Sequence, residues 1–201
     1  MRLGILGGTF DPIHLAHLIG AELAREALGL ERILFTPAGD PPHKQENRKS
    51  PAHHRRRMVE LAIAGNPYFQ VCPVDLERPG PHYSIDTVRL IREQYSLPAE
   101  ACFFIIGSDS LRDLPTWHQP ERLISLCRLA VIHRPSYRPE LDDLERLIPG
   151  LSERLVWVET PLLEISASNI RCRVAQGQSI RYQVPEAVRT YIEEQGLYQE
   201  G

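Results

Sequence analysis

The first twenty residues, MRLGILGGTFDPIHLAHLIG, constrain the fold more than any other stretch of the chain. Leu3, Ile5 and Leu6 make a short apolar run, Gly7 and Gly8 follow at once, and Pro12 to Leu28 carry a helical pattern. The order is strand, glycine turn, helix. Such a turn lets the backbone approach a ligand with no Cβ in the way, and the unpaired N–H groups at a helix N-terminus attract anions. His14 and His17, three residues apart, share one helix face there and can donate hydrogen bonds to phosphate oxygens. The spacing Gly4-x-x-Gly7-Gly8 is not GxGxxG, and GxxxxGK[ST] is absent, so histidines take the place of the usual lysine.

The rest of the chain repeats the strand and helix alternation. Arg32 to Phe35 form a second strand, and Phe69 to Asp75 a third. Ala101 to Ile106, ACFFII, is the most apolar run and reads as a central parallel strand, with Arg128 to Ile132 and Leu155 to Val158 as the fifth and sixth. Helices are expected over Pro51 to Gly65, from a cap at Ser84 to Tyr95, over Pro139 to Ile148, after Ser166, and over Glu186 to Gln195. This order predicts a single α/β domain over residues 1–201. Its core is a Rossmann-like, doubly wound, mainly parallel sheet, with a small helical part from about Thr160 closing over the phosphates. The ligand site belongs at the carboxyl ends of the first and fourth strands.

Several residues are placed to serve that site. Gly107 and Asp109 end the fourth strand, where Asp109 can meet a ribose hydroxyl. Ser166, Ser168 and Arg171 open a late helix, a second place for an anion. Trp117, in the turn LPTWHQP, is expected to show its indole for stacking on a planar ring, although a core role fits the sequence equally well. Thr87 serves either a ligand or the local backbone. The loop from Thr36 to Ser50 carries PPHK, in which Lys44 is either a ligand for an anion or a solvated charge. Arg55, Arg56 and Arg57 read as a solvated face or a rim attracting phosphorylated substrates, because no aromatic residues are interleaved.

Net charge excludes other classes. At −3 the chain has no nucleic-acid signature, and no apolar run approaches a membrane span. A soluble cytoplasmic protein is implied, with homo-oligomers left open. The scattered Cys72, Cys102, Cys127 and Cys172 show no metal-ligand spacing and read as buried thiols.

GGTFDPIHLAH resembles the nucleotidyltransferase superfamily signature GTFDPxHxGH, with Ala16 in place of a glycine. With PPHK, GPHYSIDTV, FFIIGSDSL, LPTWHQP, ISASNIR and VPEAVRTYIEEQGLY, the chain is similar to bacterial nicotinate-nucleotide adenylyltransferases. That resemblance implies adenylyl transfer from ATP, carried with Mg²⁺, to nicotinate mononucleotide. It implies catalytic roles for His14 and His17, and ATP contacts from Gly7, Gly8, Thr9, Phe10, Lys44, Gly107, Asp109, Ser166, Ser168 and Arg171. Thr87, Trp117 and His118 would meet the pyridine nucleotide. The family's ISSTxIR stands here as ISASNIR, so Ala167 lacks a hydroxyl. A phosphopantetheine adenylyltransferase shares the opening motif but lacks the Trp117 turn. A class I aminoacyl-tRNA synthetase would need a KMSKS loop, which is absent. A non-catalytic nucleotide-binding domain is the other alternative.

Overall fold

The computed structural model describes residues 1–39, 49–133 and 141–199. In chain order the elements are β1 (Leu3–Gly8), α1 (Leu15–Leu28), β2 (Arg32–Pro37), α2 (Ala52–Ile63), β3 (Phe69–Val71), α3 (Val74–Glu77), α4 (Ser84–Tyr95) and β4 (Cys102–Gly107). They continue with α5 (Ser108–Asp113), α6 (Pro120–Leu126), β5 (Arg128–His133), α7 (Leu141–Leu147), α8 (Leu151–Arg154), β6 (Leu155–Glu159), α9 (Ala167–Ala175) and α10 (Glu186–Glu194). The six strands form one parallel sheet in the order β3-β2-β1-β4-β5-β6. From β1 the chain winds outward to β3, then returns to the far side of β1 and winds outward again. The crevice between the carboxyl ends of β1 and β4 is the topological switch point, where open α/β sheets bind ligands.

Both faces of the sheet are covered, which is why its central strands are apolar without alternation. On one face Ile5, Leu34, Phe104, Ile106 and Val131 pack against Ile85, Val88 and Ile91 of α4 and Leu123 of α6. On the other, Leu6, Ile33, Phe35, Phe103 and Ile105 pack against α1 and α2. Ile170 of α9 and Val188 and Ile192 of α10 join this second cluster, so the late helices share the core that holds α1.

Several expected boundaries move. The opening helix begins at Leu15 rather than Pro12, because the chain turns at Phe10, whose φ is 50°, and stays extended at His14. The third strand ends at Val71, and Asp75 lies in α3, since Pro73 breaks the strand. Tyr83, not Ser84, is the N-cap residue of α4. The helix expected over Pro139 to Ile148 is Leu141–Leu147 within the described residues.

The cysteines divide. Cys72, Cys102 and Cys127 are buried, but Cys172 on α9 is exposed, against the expectation of four buried thiols. Burial pushes the Cys102 thiol up to about 12, and raises Cys72 and Cys127 as well. A thiol-specific disulfide reagent at pH 8 is expected to titrate Cys172 rapidly in the native protein and all four thiols after denaturation. A second fast-reacting native thiol would contradict this packing.

Candidate active site

A cavity of about 880 Å³ opens at the β1/β4 switch point. It is lined by Gly7 to Asp11, His14, His17, Thr87, Gly107, Asp109, Trp117, His118, Ser166, Ser168 and Arg171, among others. Residues drawn from five separate stretches of the sequence therefore meet at one site. Its size lies within the range of small-molecule and cofactor pockets, toward the upper end.

The floor is the glycine turn. A Cβ on Gly8 would stand 2.9 Å from the ring of Phe10, so glycine is what lets that ring fold back over the strand end. A Cβ on Gly107 would meet nothing within 4 Å, which leaves the end of β4 open to a ligand. His14 and His17 stack with ring centroids 3.6 Å apart, and His17 meets the Phe10 ring edge-on at 5.2 Å. His14 is the N-cap residue of α1, rather than a residue of its first turn. Its backbone N–H donates to Nδ1 of His17 at 3.3 Å. An accepting Nδ1 places the ring proton of a neutral imidazole on Nε2, so His17 is a donor at that nitrogen.

The far wall is formed by α9. Ser166 caps it, accepting the Asn169 N–H at 3.2 Å, as its hydroxyl predicts. Arg171 donates from Nη1 to the Asp11 carbonyl at 2.7 Å and from Nη2 to the Ser168 hydroxyl at 3.4 Å. Lys44 lies outside the described residues, whereas Lys49 lines the cavity.

The face beneath α4 is aromatic. Trp117 is half-buried rather than freely displayed, edge-on to Phe104 at 6.2 Å, and it also lines the cavity, so both of its expected roles apply to one indole. His118 stacks on Tyr83 at 4.1 Å. Thr87 is 3 % exposed, and its hydroxyl lies 2.8 Å from each oxygen of the Asp75 carboxylate. Its single proton is thereby committed, and Asp75 is in turn paired with Arg78 at 3.0 Å.

Two residues escape a sequence reading. Asp75 carried no motif and looked like the polar end of a strand. Arg55 was expected in solvent with its two neighbours, yet it is 2 % exposed. Its guanidinium donates to the carbonyls of Thr9 at 2.8 Å, Ala38 at 2.7 Å and Ser50 at 3.0 Å, tying the turn after β1 to the loop after β2. The signal was available: Arg55 lies three and four residues before Met58 and Val59, the buried face of α2.

Comparison with known proteins agrees with this geometry. A family model described as cytidylyltransferase-like matches residues 5–173. A curated protein of Thermomicrobium roseum, named "Probable nicotinate-nucleotide adenylyltransferase", is 50 % identical over 98 % of this chain and 91 % of its own length. The chain belongs to the nicotinate-nucleotide adenylyltransferase family. A second relative of the same name, from Roseiflexus sp. (strain RS-1), is 46 % identical over 98 % of this chain and 97 % of its own. Among solved structures, the nicotinic acid mononucleotide adenylyltransferase of Plasmodium falciparum complexed with NaAD matches with a TM-score of 0.76. It covers 98 % of this chain and 96 % of that one. At 20 % identity that likeness speaks for the shared fold. The family relationship therefore spans nearly the whole chain, and the fold is that of solved nicotinic acid mononucleotide adenylyltransferase structures.

Proposed function

We propose that this chain transfers the adenylyl group of ATP to nicotinate mononucleotide, giving deamido-NAD and pyrophosphate. The observation that carries the reading is the pairing of two unlike walls in one cavity. Stacked histidines at the start of α1 face Ser166, Ser168 and Arg171, while Trp117 and the start of α4 form an aromatic side. The first wall suits a triphosphate, the second a pyridine nucleotide. The 98 % coverage by relatives of that name supports the same assignment.

The chemistry follows from positioning. A 5′-phosphate oxygen of the mononucleotide attacks the α-phosphorus of ATP in line, the bond to the β-phosphate bridging oxygen breaks, and pyrophosphate leaves. No side chain need act as nucleophile. His14, His17 and the α1 amides steady charge on the α-phosphate, and Arg171 holds the departing phosphates. Gly107 and Asp109 receive the adenosine, and the late helices, sharing a core with α1, close the polyphosphate side.

Among the described residues no three His, Cys, Asp or Glu side chains stand close enough to hold a metal ion. A divalent cation such as Mg²⁺ would arrive on the triphosphate, and the carboxylates lining the cavity among the described residues are Asp11, Asp75, Asp109 and Asp113. When bound it neutralises phosphate charge.

The acid group of nicotinate meets the first amides of α4, which lack intrahelical partners. Thr87, whose proton belongs to Asp75, instead locks that helix start in place. Backbone donors at the carboxylate oppose an amide NH₂, so nicotinate should be preferred over nicotinamide mononucleotide by roughly 10²-fold in kcat/KM. Pyrophosphate release from ATP with nicotinate mononucleotide, nicotinamide mononucleotide or phosphopantetheine as acceptor tests this. Equal constants for acid and amide, or turnover of phosphopantetheine, would overturn it.

A further inference from the structure

We propose that Tyr198 is a positioning residue for the polyphosphate end of the site, acting through Asp11 on Arg171. The inference rests on the adenylyltransferase reading and assigns a role to a side chain that does not itself line the cavity.

The turn between β1 and α1 is held in an unfavourable shape. Phe10 is 2 % exposed with φ at 50°, the left-handed region that bulky residues avoid. Such a conformation persists only where its surroundings over-determine it. Asp11, the next residue, is 4 % exposed and supplies that determination. Its Oδ1 accepts the Tyr198 hydroxyl at 2.6 Å, and its Oδ2 accepts the Ser50 N–H at 3.0 Å. Its backbone carbonyl accepts Nη1 of Arg171 at 2.7 Å. One residue of the phosphate turn is therefore bonded to the chain at positions 50, 171 and 198.

A second tie runs the same way. The Leu15 N–H at the start of α1 donates to the Gln183 carbonyl at 2.9 Å, so the stretch after α9 grips both ends of the turn. The Arg171 fork is fixed by Asp11 and Ser168 alone among its recorded bonds, and its direction follows wherever the Asp11 carbonyl sits. Tyr198 sets that position from outside the cavity. Burial, together with the Asp11 charge, raises its phenol above the usual range, so it stays a donor at any working pH.

The test uses full-length Tyr198→Phe, Arg171→Lys and the double variant, assayed below their melting temperatures. Tyr198→Phe should raise KM for ATP about 10-fold and leave KM for nicotinate mononucleotide within about 2-fold, because a bond to a charged acceptor is lost on the ATP side. The double variant should be no worse than about 2- to 3-fold beyond Arg171→Lys, since both changes lie on one path. An unchanged KM for ATP, an equal rise for both substrates, or fully multiplying effects would overturn the proposal. If Tyr198→Phe does not fold, Asp11→Asn should show the same ATP-confined rise, and equal shifts in both KM values would count against it. If the unmutated protein releases no pyrophosphate, the adenylyltransferase reading fails by itself. Calorimetric titration with a non-hydrolysable ATP analogue then decides the present proposal, with about 10-fold weaker binding to Tyr198→Phe expected and equal binding contradicting it.

Discussion

Replacing His17 with alanine is expected to lower kcat by about 10²- to 10³-fold, the loss typical of one donor aimed at charge that develops in a transition state. The stack at 3.6 Å on His14 and the backbone bond to Nδ1 hold the ring in one orientation, and His17 lines the cavity. A donor so held needs no reorganisation as the α-phosphate acquires charge. The fold should survive, because His17 is half-buried and faces the cavity rather than the core of either sheet face. KM for ATP should change far less than kcat. Near-normal turnover in a variant that melts like the unmutated protein would remove His17 from the catalytic machinery.

Replacing Arg55 with methionine is expected to act through stability instead. The side chain is buried, and its guanidinium satisfies carbonyls from three separate segments. Methionine fills much of the volume but leaves those acceptors without donors, at about 1–3 kcal/mol for each that stays buried. Part of this is offset because a charge no longer has to be kept out of water, and that cost of burial already lowers the Arg55 pKa. A net loss of about 3 kcal/mol remains, which for a chain of this size shifts Tm by roughly 10 °C. Arg55→Lys should recover little, since a single ammonium cannot reach the three carbonyls that the planar fork spans. Calorimetric melting checks this, and an unchanged Tm for Arg55→Met would contradict the assigned role.

The two predictions differ in how visible their residues were in the sequence. His17 stands in a motif whose glycines, turn and helix are contiguous, so local chemistry alone placed it. The central strands were equally legible: ACFFII is apolar throughout because β4 is covered on both faces. Arg55 was hidden in a run of three arginines, because successive helical residues point about 100° apart and only one of the three turns inward. Asp75 follows apolar, strand-like residues, but Pro73 ends the strand before it and opens the short helix that holds it. Tyr198 ends the stretch VPEAVRTYIEEQGLY, but its role could not be read, since its partner Asp11 lies 187 positions away and only the closed fold brings them together. Thr87 lines the cavity, but its hydroxyl proton goes to a carboxylate that the sequence does not associate with it.

The proposed reaction ties these elements together: a single displacement on the α-phosphorus, with both substrates held in one cavity. The most direct measurement incubates the unmutated protein with ATP, Mg²⁺ and nicotinate mononucleotide, and follows pyrophosphate and dinucleotide together by chromatography. Equal molar amounts of pyrophosphate and deamido-NAD are predicted, appearing only when both substrates are present. Pyrophosphate without dinucleotide, or no product at all from a folded protein, would contradict the account.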